Sequence, residues 1–253
     1  MITLVTGATG TVGAAVVAEL VAAGRTVRAL VRDVDRGRAL LPAVFAWQRG
    51  VEFDESTIAS TPKGSPYERS KQDADRAIVA LEARGLPVRY LHPSAVYGPA
   101  PVLNPGLNDL LVRLVKRQIP MLLPGGIPVV FAPDVARGHV LAERAPIGAR
   151  FILHDRFVAL ADLARLVVDT SGRGTVPRVL PTVLARTVSI VGEAVAKLTR
   201  RAPLIPAGQL QFLLEDVRPS AARARRDLGL TVTPLADGLR TTLAAFADRG
   251  WLP

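Results

Sequence analysis

Residues 2–13 of the chain read ITLVTGATGTVG. An apolar, β-branched run over 2–6 is followed by three glycines, each three residues from the next. Helix-forming residues then fill 14–23, Gly24 ends them, and residues 26–31 form a second apolar run. This pattern predicts a strand, a glycine turn, a helix and a second strand, which is the β-α-β unit of parallel sheets.

The three glycines at the turn fit a phosphate-binding site. Gly7 allows a tight turn, Gly10 lets the main chain approach a pyrophosphate, and Gly13 lets helix and strand pack closely. The helix amino terminus supplies N–H groups and positive dipole for the phosphate charge. We therefore favour a dinucleotide site over a glycine turn without a ligand. The predicted cofactor-binding residues here are Gly7, Thr9, Gly10, Thr11, Val12 and Gly13.

The glycine spacing, with Thr6 before it, resembles the short-chain dehydrogenase/reductase superfamily. It is most similar to the extended branch, the NAD-dependent epimerase/dehydratase family. The resemblance implies an α/β fold with a Rossmann-like doubly wound parallel sheet and a small, mainly helical C-terminal substrate lobe. We expect a dinucleotide-binding core over residues 1–100. Residues 101–253 would form the substrate lobe and C-terminal helices, partly interwoven with that core.

The end of the second predicted strand bears on the choice of dinucleotide. NAD-specific members of the family carry an acidic residue there, but this chain has Val31, followed by Arg32 and Asp33. An arginine at this place can pair with a 2′-phosphate. Residues 27–33 also resemble those of dihydroflavonol-4-reductase-like members, which use NADPH. The resemblance implies NADP as cofactor through Arg32, with NAD and a ribose contact from Asp33 as the alternative.

A tyrosine and a lysine lie four residues apart in the sequence YERSK, where a helix over 67–84 is predicted. That spacing places Tyr67 and Lys71 on one helical face. A nearby ammonium lowers the pKa of a phenol, so the tyrosine can exchange a proton with a carbonyl or alcohol. Tyr67 and Lys71 are the predicted catalytic residues, and Lys71 can also hold the nicotinamide ribose. The alternative is an ordinary amphipathic helix surface.

Residues 91–99, LHPSAVYGP, resemble the family's Arg-Pro-x-x-Val-Tyr-Gly-Pro loop. In the family this loop touches the nicotinamide, which implies cofactor contacts at Pro93 and Val96. His92 stands where the family has arginine, and we interpret it as a structural residue.

The glycine turn and the tyrosine are closer in sequence than in the family. The third to fifth strands and the catalytic Ser/Thr have no counterpart, because no serine or threonine lies between Thr26 and Ser56. Two lost strands leave a gap near 14 Å in the sheet. A remnant strand at 44–47, a closed sheet, or pairing with another chain could fill it. The remaining hydroxyl candidates are Ser56, Thr57, Ser60 and Thr61.

The resemblance implies an oxidoreductase similar to NADPH-dependent carbonyl reductases, acting on an apolar small-molecule carbonyl. In that reaction Tyr67 donates the proton and the nicotinamide donates the hydride. One alternative is a nucleotide-binding protein with little or no catalysis, since the missing parts leave enzymatic activity an open question. The other is a sugar-nucleotide epimerase or dehydratase. The family also implies a homodimer as a possible assembly.

Composition excludes several other classes. The chain has 253 residues, 49% of them hydrophobic, and no cysteine, which rules out long-range disorder, a disulfide scaffold and a thiolate metal site. Its net charge of +10 comes mostly from dispersed arginines without a nucleic-acid-binding module, so no nucleic-acid partner is expected. Neither a signal peptide nor an apolar run long enough to span a membrane is evident, so a cytoplasmic setting is expected. Residues 179–198 are apolar at helical spacing, and we favour core packing over membrane-surface attachment for them.

Overall fold

The computed structural model describes residues 2–8, 10–30, 45–59, 61, 66–103, 105–199 and 207–253. It is an α/β structure in which helices pack on short, mostly parallel strands. The strands are β1 (Ile2–Thr6), β2 (Thr26–Leu30), β3 (Glu52–Phe53), β4 (Tyr90–Pro93), β5 (Ala95–Tyr97), β6 (Met121–Leu122), β7 (Gly126–Phe131), β8 (Arg150–Leu153), β9 (Arg156–Ala159), β10 (Arg178–Val179) and β11 (Arg218–Pro219). The helices are α1 (Thr11–Ala22), α2 (Pro66–Glu82), α3 (Leu107–Val115), α4 (Ala132–Ala142), α5 (Leu160–Ser171), α6 (Thr182–Thr199), α7 (Ala207–Leu214), α8 (Ala222–Leu228) and α9 (Leu235–Asp248).

The predicted β-α-β unit is present at the amino terminus. Strand β1 pairs in parallel with β2, with Ile2 opposite Thr26. Helix α1 connects them and begins at Thr11, three residues before the predicted start, so that Gly13 lies inside its first turn. The α/β class and the amino-terminal β-α-β unit are therefore confirmed.

The sheet is interrupted beside β1. Strand β4 pairs in parallel with β8, while β5 pairs in parallel with β7, which is antiparallel to β9. Within the described ranges, no strand is hydrogen-bonded between β1 and β4. The structure thus agrees with a doubly wound sheet shortened by loss of its middle strands, and β1 and β4 are not paired with each other.

The remnant strand considered at 44–47 does not fill the gap beside β1 in the described residues. Phe45 instead forms an isolated antiparallel bridge with Ile58. Its ring is fully buried in a small cluster with Phe53, Ile152 and Val217. The reason is apolar burial, because an aromatic side chain gains more from a closed cluster than from an open sheet edge.

The main hydrophobic core is made by the carboxy-terminal part of the chain. It contains strands β5 and β7 and the inner faces of α3, α5 and α9. A second cluster joins α4, β8 and α8, and Val12 and Ala15 of α1 pack against it. Strand β8, from beyond residue 100, thus pairs with β4 from before it. The proposed domain division at residue 100 stays a prediction.

Helix α6 corrects the expectation that residues 179–198 are a core stripe. Ala185 and Ser189 are buried, and Ala185 packs with Leu180 and Leu210. The opposite face is exposed: Val183 is 78% accessible and Ile190 is 70% accessible. Apolar periodicity predicts an amphipathic helix, but it does not predict which of its apolar residues are covered by the rest of the protein.

The chain's histidines are held neutral by burial. Burial, together with the nearby Arg225 and Arg156 guanidinium groups, lowers the pKa of His154 to about 4. Burial likewise lowers the pKa of His92 to about 4, with Arg150 adding to the effect. His92 packs edge-on to Phe45, with ring centroids 4.8 Å apart. These contacts agree with a structural role for His92.

We predict that acid destabilises the fold through these histidines. The folded pKa of His154 lies below its ordinary value of 6.5. Its stabilising contribution is therefore complete above pH 6.5 and is lost as the pH falls toward 4. Each such histidine adds a slope of up to about 1.4 kcal/mol per pH unit in the free energy of unfolding. Urea unfolding at several pH values between 7 and 4.5 measures the free energy of unfolding. That free energy should fall less steeply with decreasing pH for His154→Asn than for the unaltered protein.

Buried Glu55 provides an internal reference for that experiment. Burial raises the pKa of its carboxyl, so Glu55 changes stability in the opposite direction as the pH falls. Its contribution is common to both proteins and cancels in the comparison. Parallel pH profiles for His154→Asn and the unaltered protein would contradict the prediction.

Candidate functional site

A cavity of about 740 Å³ opens beside the glycine turn. That volume lies in the range of small-molecule and cofactor sites, about 300–1,000 Å³. The cavity is bounded by β1, α1, α2, β5, the start of α3, and α4. Its lining residues are Thr3, Val5, Thr6, Gly7, Gly10, Thr11, Val12, Gly13, Val16, Leu20, Lys71, Val96, Pro105, Gly106, Leu107, Asn108, His139, Val140 and Glu143.

The three turn glycines are required for different reasons. Gly7 has a φ of +67°, in the left-handed region that favours glycine. A Cβ on Gly13 would lie 2.1 Å from the Gly7 carbonyl oxygen, so only glycine lets α1 approach the turn. A Cβ on Gly10 would meet only that same oxygen, at 3.4 Å. Neither the backbone angles nor the packing therefore requires glycine at position 10. A ligand that closely approaches the main chain would require it, because a side chain there would block that approach.

The amino terminus of α1 offers main-chain donors to the cavity. Gly10 is its N-cap, no side chain caps it, and its first turn carries no acidic residue. The first helical hydrogen bond runs from the Ala14 N–H to the Gly10 carbonyl. The N–H groups of Thr11, Val12 and Gly13 precede that bond. This is the arrangement in which a helix end binds an anion.

The β5–α3 connection forms another wall of the cavity. Asn108 is buried, and its side-chain amide donates to the Gly98 carbonyl at 2.9 Å and accepts from the Gly98 N–H at 3.1 Å. Gly98 has a φ of +147°. Asn108 thereby fixes the loop after β5, while Val96 faces the cavity. Pro93 ends β4 and is absent from the lining.

Helix α2 brings Lys71 to the same cavity as the glycine turn. The helix is anchored one turn later by Asp75, whose two carboxylate oxygens accept from Arg150 at 2.7 and 3.0 Å. The Arg150 guanidinium also lies 3.9 Å from the centre of the Tyr90 ring. The Tyr90 hydroxyl donates to Glu82 at 2.6 Å, near the carboxy end of α2. These contacts fix α2 against β4 and β8.

Some predicted site residues fall outside what the structure describes. Thr9 and Arg32 lie outside the described residues. Tyr67 belongs to α2, but its side chain is outside the described part of the structure. The roles given to all three remain predictions.

Two of the hydroxyl candidates upstream of Tyr67, Ser56 and Thr57, form hydrogen bonds within their own loop. Ser56 donates to the Asp54 carboxylate at 2.6 Å, and Thr57 donates to the Asp54 carbonyl at 2.8 Å. The Thr61 carbonyl accepts from Gln72, and Ser60 lies outside the described residues. In the described part of the chain, the hydroxyl-bearing residues that line the cavity are Thr3, Thr6 and Thr11.

The far end of the cavity, which α4 forms, was not predicted from the sequence. His139 and Glu143 line it, and they also line a smaller adjoining cavity of about 340 Å³. The His139 Nδ1 lies 2.8 Å from the Val135 carbonyl, so Nδ1 carries the proton. Glu143 accepts from Arg25 at 2.9 Å. These residues meet through the packing of α1 on α4, and no local motif signals a contact between segments so distant in sequence.

Comparison with known sequences gives two curated relatives. A protein named dihydroflavonol 4-reductase, from Synechocystis, is 24% identical over 209 residues, covering 80% of this chain and 61% of the relative. Sterol demethylase protein B from Methylococcus capsulatus is 21% identical over 207 residues, covering 81% of this chain and 63% of its own. The chain therefore spans less than two thirds of the length of either relative. It matches no protein-family model.

Solved structures share the fold over the whole chain. The protein gox2253 gives a TM-score of 0.82 at 23% identity, covering 100% of this chain and 99% of its own. A nucleoside-diphosphate-sugar epimerase from Pseudomonas aeruginosa gives 0.78 at 20% identity, again covering 100% and 99%. UDP-glucose 4-epimerase from Thermus thermophilus, solved as a complex with NAD, gives 0.71 at 16% identity, covering 98% and 99%.

The fold is therefore that of a Rossmann-like α/β protein. The named relatives and the structural neighbours confirm the resemblance to the extended short-chain dehydrogenase/reductases, the NAD-dependent epimerase/dehydratase family. Two further features concern the described residues alone. They contain no helix long and apolar enough to cross a membrane. They also contain no cluster of three or more side chains suited to holding a metal ion.

We predict different outcomes for substitutions at Gly10 and Gly13. Gly10→Ser should keep the fold, because serine is a favoured N-cap and the site has room for it. If the turn binds the cofactor phosphates as predicted from the sequence, the variant should bind NADPH at least tenfold more weakly, because the added side chain enters the main-chain surface that the phosphates would approach. Gly13→Ala should instead lower the free energy of unfolding by about 1–3 kcal/mol, because its methyl meets the Gly7 carbonyl.

Fluorescence titration with NADPH measures the affinity of both variants, and urea unfolding measures their free energies of unfolding. Unchanged NADPH affinity in Gly10→Ser would refute a phosphate contact at the turn.

We also predict that Asp75 stabilises α2 more than its neighbour Asp73 does. Asp75→Asn leaves the largely buried Arg150 without its carboxylate partner, which typically costs about 3–5 kcal/mol. Asp73→Asn removes an exposed pair with Arg76 on the same helix and should cost less than about 1 kcal/mol. Urea unfolding of the two variants measures the difference. Equal losses would mean that the buried ion pair does not anchor the helix.

Proposed function

We propose that the protein is an NAD(P)-dependent oxidoreductase that reduces an apolar carbonyl compound, with NADPH as the preferred cofactor. One observation carries the proposal: Lys71 of α2 and the glycine turn of β1–α1 line a single cavity despite the shortened chain. In this class of enzyme, the two halves of the site must face each other across the cofactor.

The residues present fit a dinucleotide. Gly10 leaves its main chain accessible, and the uncapped start of α1 supplies donors suited to a pyrophosphate. In this proposal Gly7, Thr9, Gly10, Thr11, Val12 and Gly13 hold the pyrophosphate. Val96 and Pro93 lie toward the nicotinamide, Lys71 binds its ribose, and Arg32 pairs with the 2′-phosphate. When bound, the cofactor supplies the hydride.

The protein's own chemistry is proton transfer and orientation. Tyr67 donates a proton from its phenol oxygen to the carbonyl oxygen of the substrate as the carbonyl carbon is reduced. Lys71, four residues later on the same helical face, lowers the pKa of the Tyr67 phenol by its positive charge. The Asp75–Arg150 pair acts on neither reactant, and it holds α2 in place for both residues.

An apolar substrate is supported by the cavity and by the relatives. Val5, Val12, Val16 and Leu107 contribute apolar surface to the lining. The relatives' names refer to a dihydroflavonol and a sterol. The reductase reading also agrees with the similarity of residues 27–33 to the dihydroflavonol-reductase-like members.

Two alternative functions rest on particular observations. Nucleotide binding without turnover is favoured by the hydroxyls of Ser56 and Thr57, which bond Asp54 outside the cavity. A misplacement of about 1 Å can cost roughly a hundredfold in rate, so the interrupted sheet bears directly on activity. A sugar-nucleotide epimerase is favoured by structural neighbours such as UDP-glucose 4-epimerase.

The test combines binding and turnover. We expect the protein to bind NADPH more tightly than NADH, and Arg32→Asp to reverse that preference. We expect NADPH oxidation with a panel of apolar ketones and aldehydes. Tyr67→Phe should reduce kcat by about 10²- to 10⁴-fold while NADPH still binds, because only the proton donor is removed. Lys71→Met should lower both kcat and NADPH affinity. Lys116→Met, which alters an exposed lysine after α3, should change neither kcat nor NADPH affinity.

The remaining outcomes separate the alternatives. NADPH binding without oxidation by any carbonyl supports the non-catalytic nucleotide-binding protein. Conversion of UDP-glucose to UDP-galactose without net cofactor consumption supports the epimerase. Absence of NADPH and NADH binding by the folded protein rejects all three functions.

A further inference from the structure

The exposed face of α6 is a row of large apolar side chains along one helix. Val183, Leu184, Ile190 and Val191 are between 49% and 78% accessible. At 100° per residue, they fall within an arc of about 120° on the helix. Isolated apolar side chains are common on protein surfaces, but a row of large ones along one helix face marks an interaction site.

This face is separate from the side by which α6 contacts the protein. Ala185 and Ser189 are buried on the opposite side, where Ala185 packs with Leu180 and Leu210 and Val188 and Leu214 lie against the same cluster. The helix therefore lies along the body of the protein with its second face outward. The exposed surface continues into the preceding strand, where Val179 is 43% accessible.

The segment of sequence that contains this face is rich in basic residues. Residues 173–201 contain six basic side chains and one acidic side chain, Glu193, which gives the segment a net charge of +5. Arg178 and Arg186 are exposed in the structure. The basic residues of the segment are Arg173, Arg178, Arg186, Lys197, Arg200 and Arg201.

We propose that α6 is a membrane-surface helix that binds anionic lipid, with its apolar face in the headgroup–acyl boundary. An amphipathic helix with basic residues beside its apolar face is the arrangement that lies in this interface. The positive charge complements the negative potential of an anionic leaflet. A second copy of the chain fits less well, because a symmetric contact would bring two +5 segments together. The surface is independent of the cavity and of the proposed reductase activity.

Vesicle sedimentation tests the proposal on the full chain. Sucrose-loaded vesicles of phosphatidylcholine and phosphatidylglycerol in a 3:1 ratio serve as the anionic surface, and pure phosphatidylcholine vesicles as the neutral one. We expect at least a tenfold higher vesicle-bound to free ratio on the anionic vesicles at low salt. We expect that ratio to fall steeply when the salt concentration is raised, because the basic residues are screened.

Substitutions locate the contact. Val183→Glu combined with Ile190→Glu should lower binding to anionic vesicles at least tenfold. The matched control is Ile147→Glu, which alters an apolar residue of 59% accessibility in the connection between α4 and β8 and should leave binding unchanged. Arg186→Glu alters only an exposed charge and should weaken binding severalfold. Its effect can be measured even if the double variant does not fold.

Three results would overturn the proposal: no sedimentation with anionic vesicles at low salt, equal loss in Ile147→Glu, or unchanged binding in both α6 variants. A dimer by light scattering that Ile190→Glu dissociates, in a protein that ignores both kinds of vesicle, would assign the surface to a second copy instead.

Discussion

Contact between α1 and α4 holds the glycine turn against the rest of the molecule. In the described residues, β1 is hydrogen-bonded to β2 alone, so the sheet does not connect the turn to β4. Val12 and Ala15 of α1 instead pack on the cluster that contains α4. The Arg25–Glu143 ion pair adds a partly exposed contact, which contributes little by comparison. Apolar packing between two helices thus sets the position of the glycine turn.

This constraint explains the shape of the cavity. In a continuous sheet, neighbouring strands about 4.8 Å apart would occupy the space beside β1. Here Thr3 and Val5 of β1 face a cavity whose far end reaches His139 and Glu143 on α4. The distance between the glycine turn and Lys71 is therefore fixed from two sides, by α1 on α4 and by Asp75 of α2 on Arg150. Both supports are side-chain contacts rather than sheet hydrogen bonds.

The sequence predicted those parts of the structure that local signals determine. The run over 2–13 predicted β1, the turn and α1, and the segment from Tyr67 predicted α2 nearly to its observed ends. The pairing partners of the strands could not be predicted from local sequence, because β4 pairs with β8, about 60 residues away. Phe45 was considered as part of a strand in the sheet gap, but it packs in an aromatic cluster instead. The apolar stripe of α6 was misassigned because periodicity identifies a face without identifying what covers it.

The distribution of core residues explains how a shortened chain keeps its fold. The main cluster is drawn entirely from residue 95 onward, from β5 and β7 through α9. Among the described side chains of the β1–α1–β2 unit, Val12 and Ala15 pack against the second cluster. In the described ranges, the lack of a strand paired between β1 and β4 therefore affects the neighbours of the cavity and not the main core. The main core is thus largely separate from the contacts that position the glycine turn, whereas the Asp75–Arg150 pair serves both stability and the placement of Lys71. A cooperatively folded chain therefore does not by itself imply that the glycine turn and Lys71 are correctly aligned.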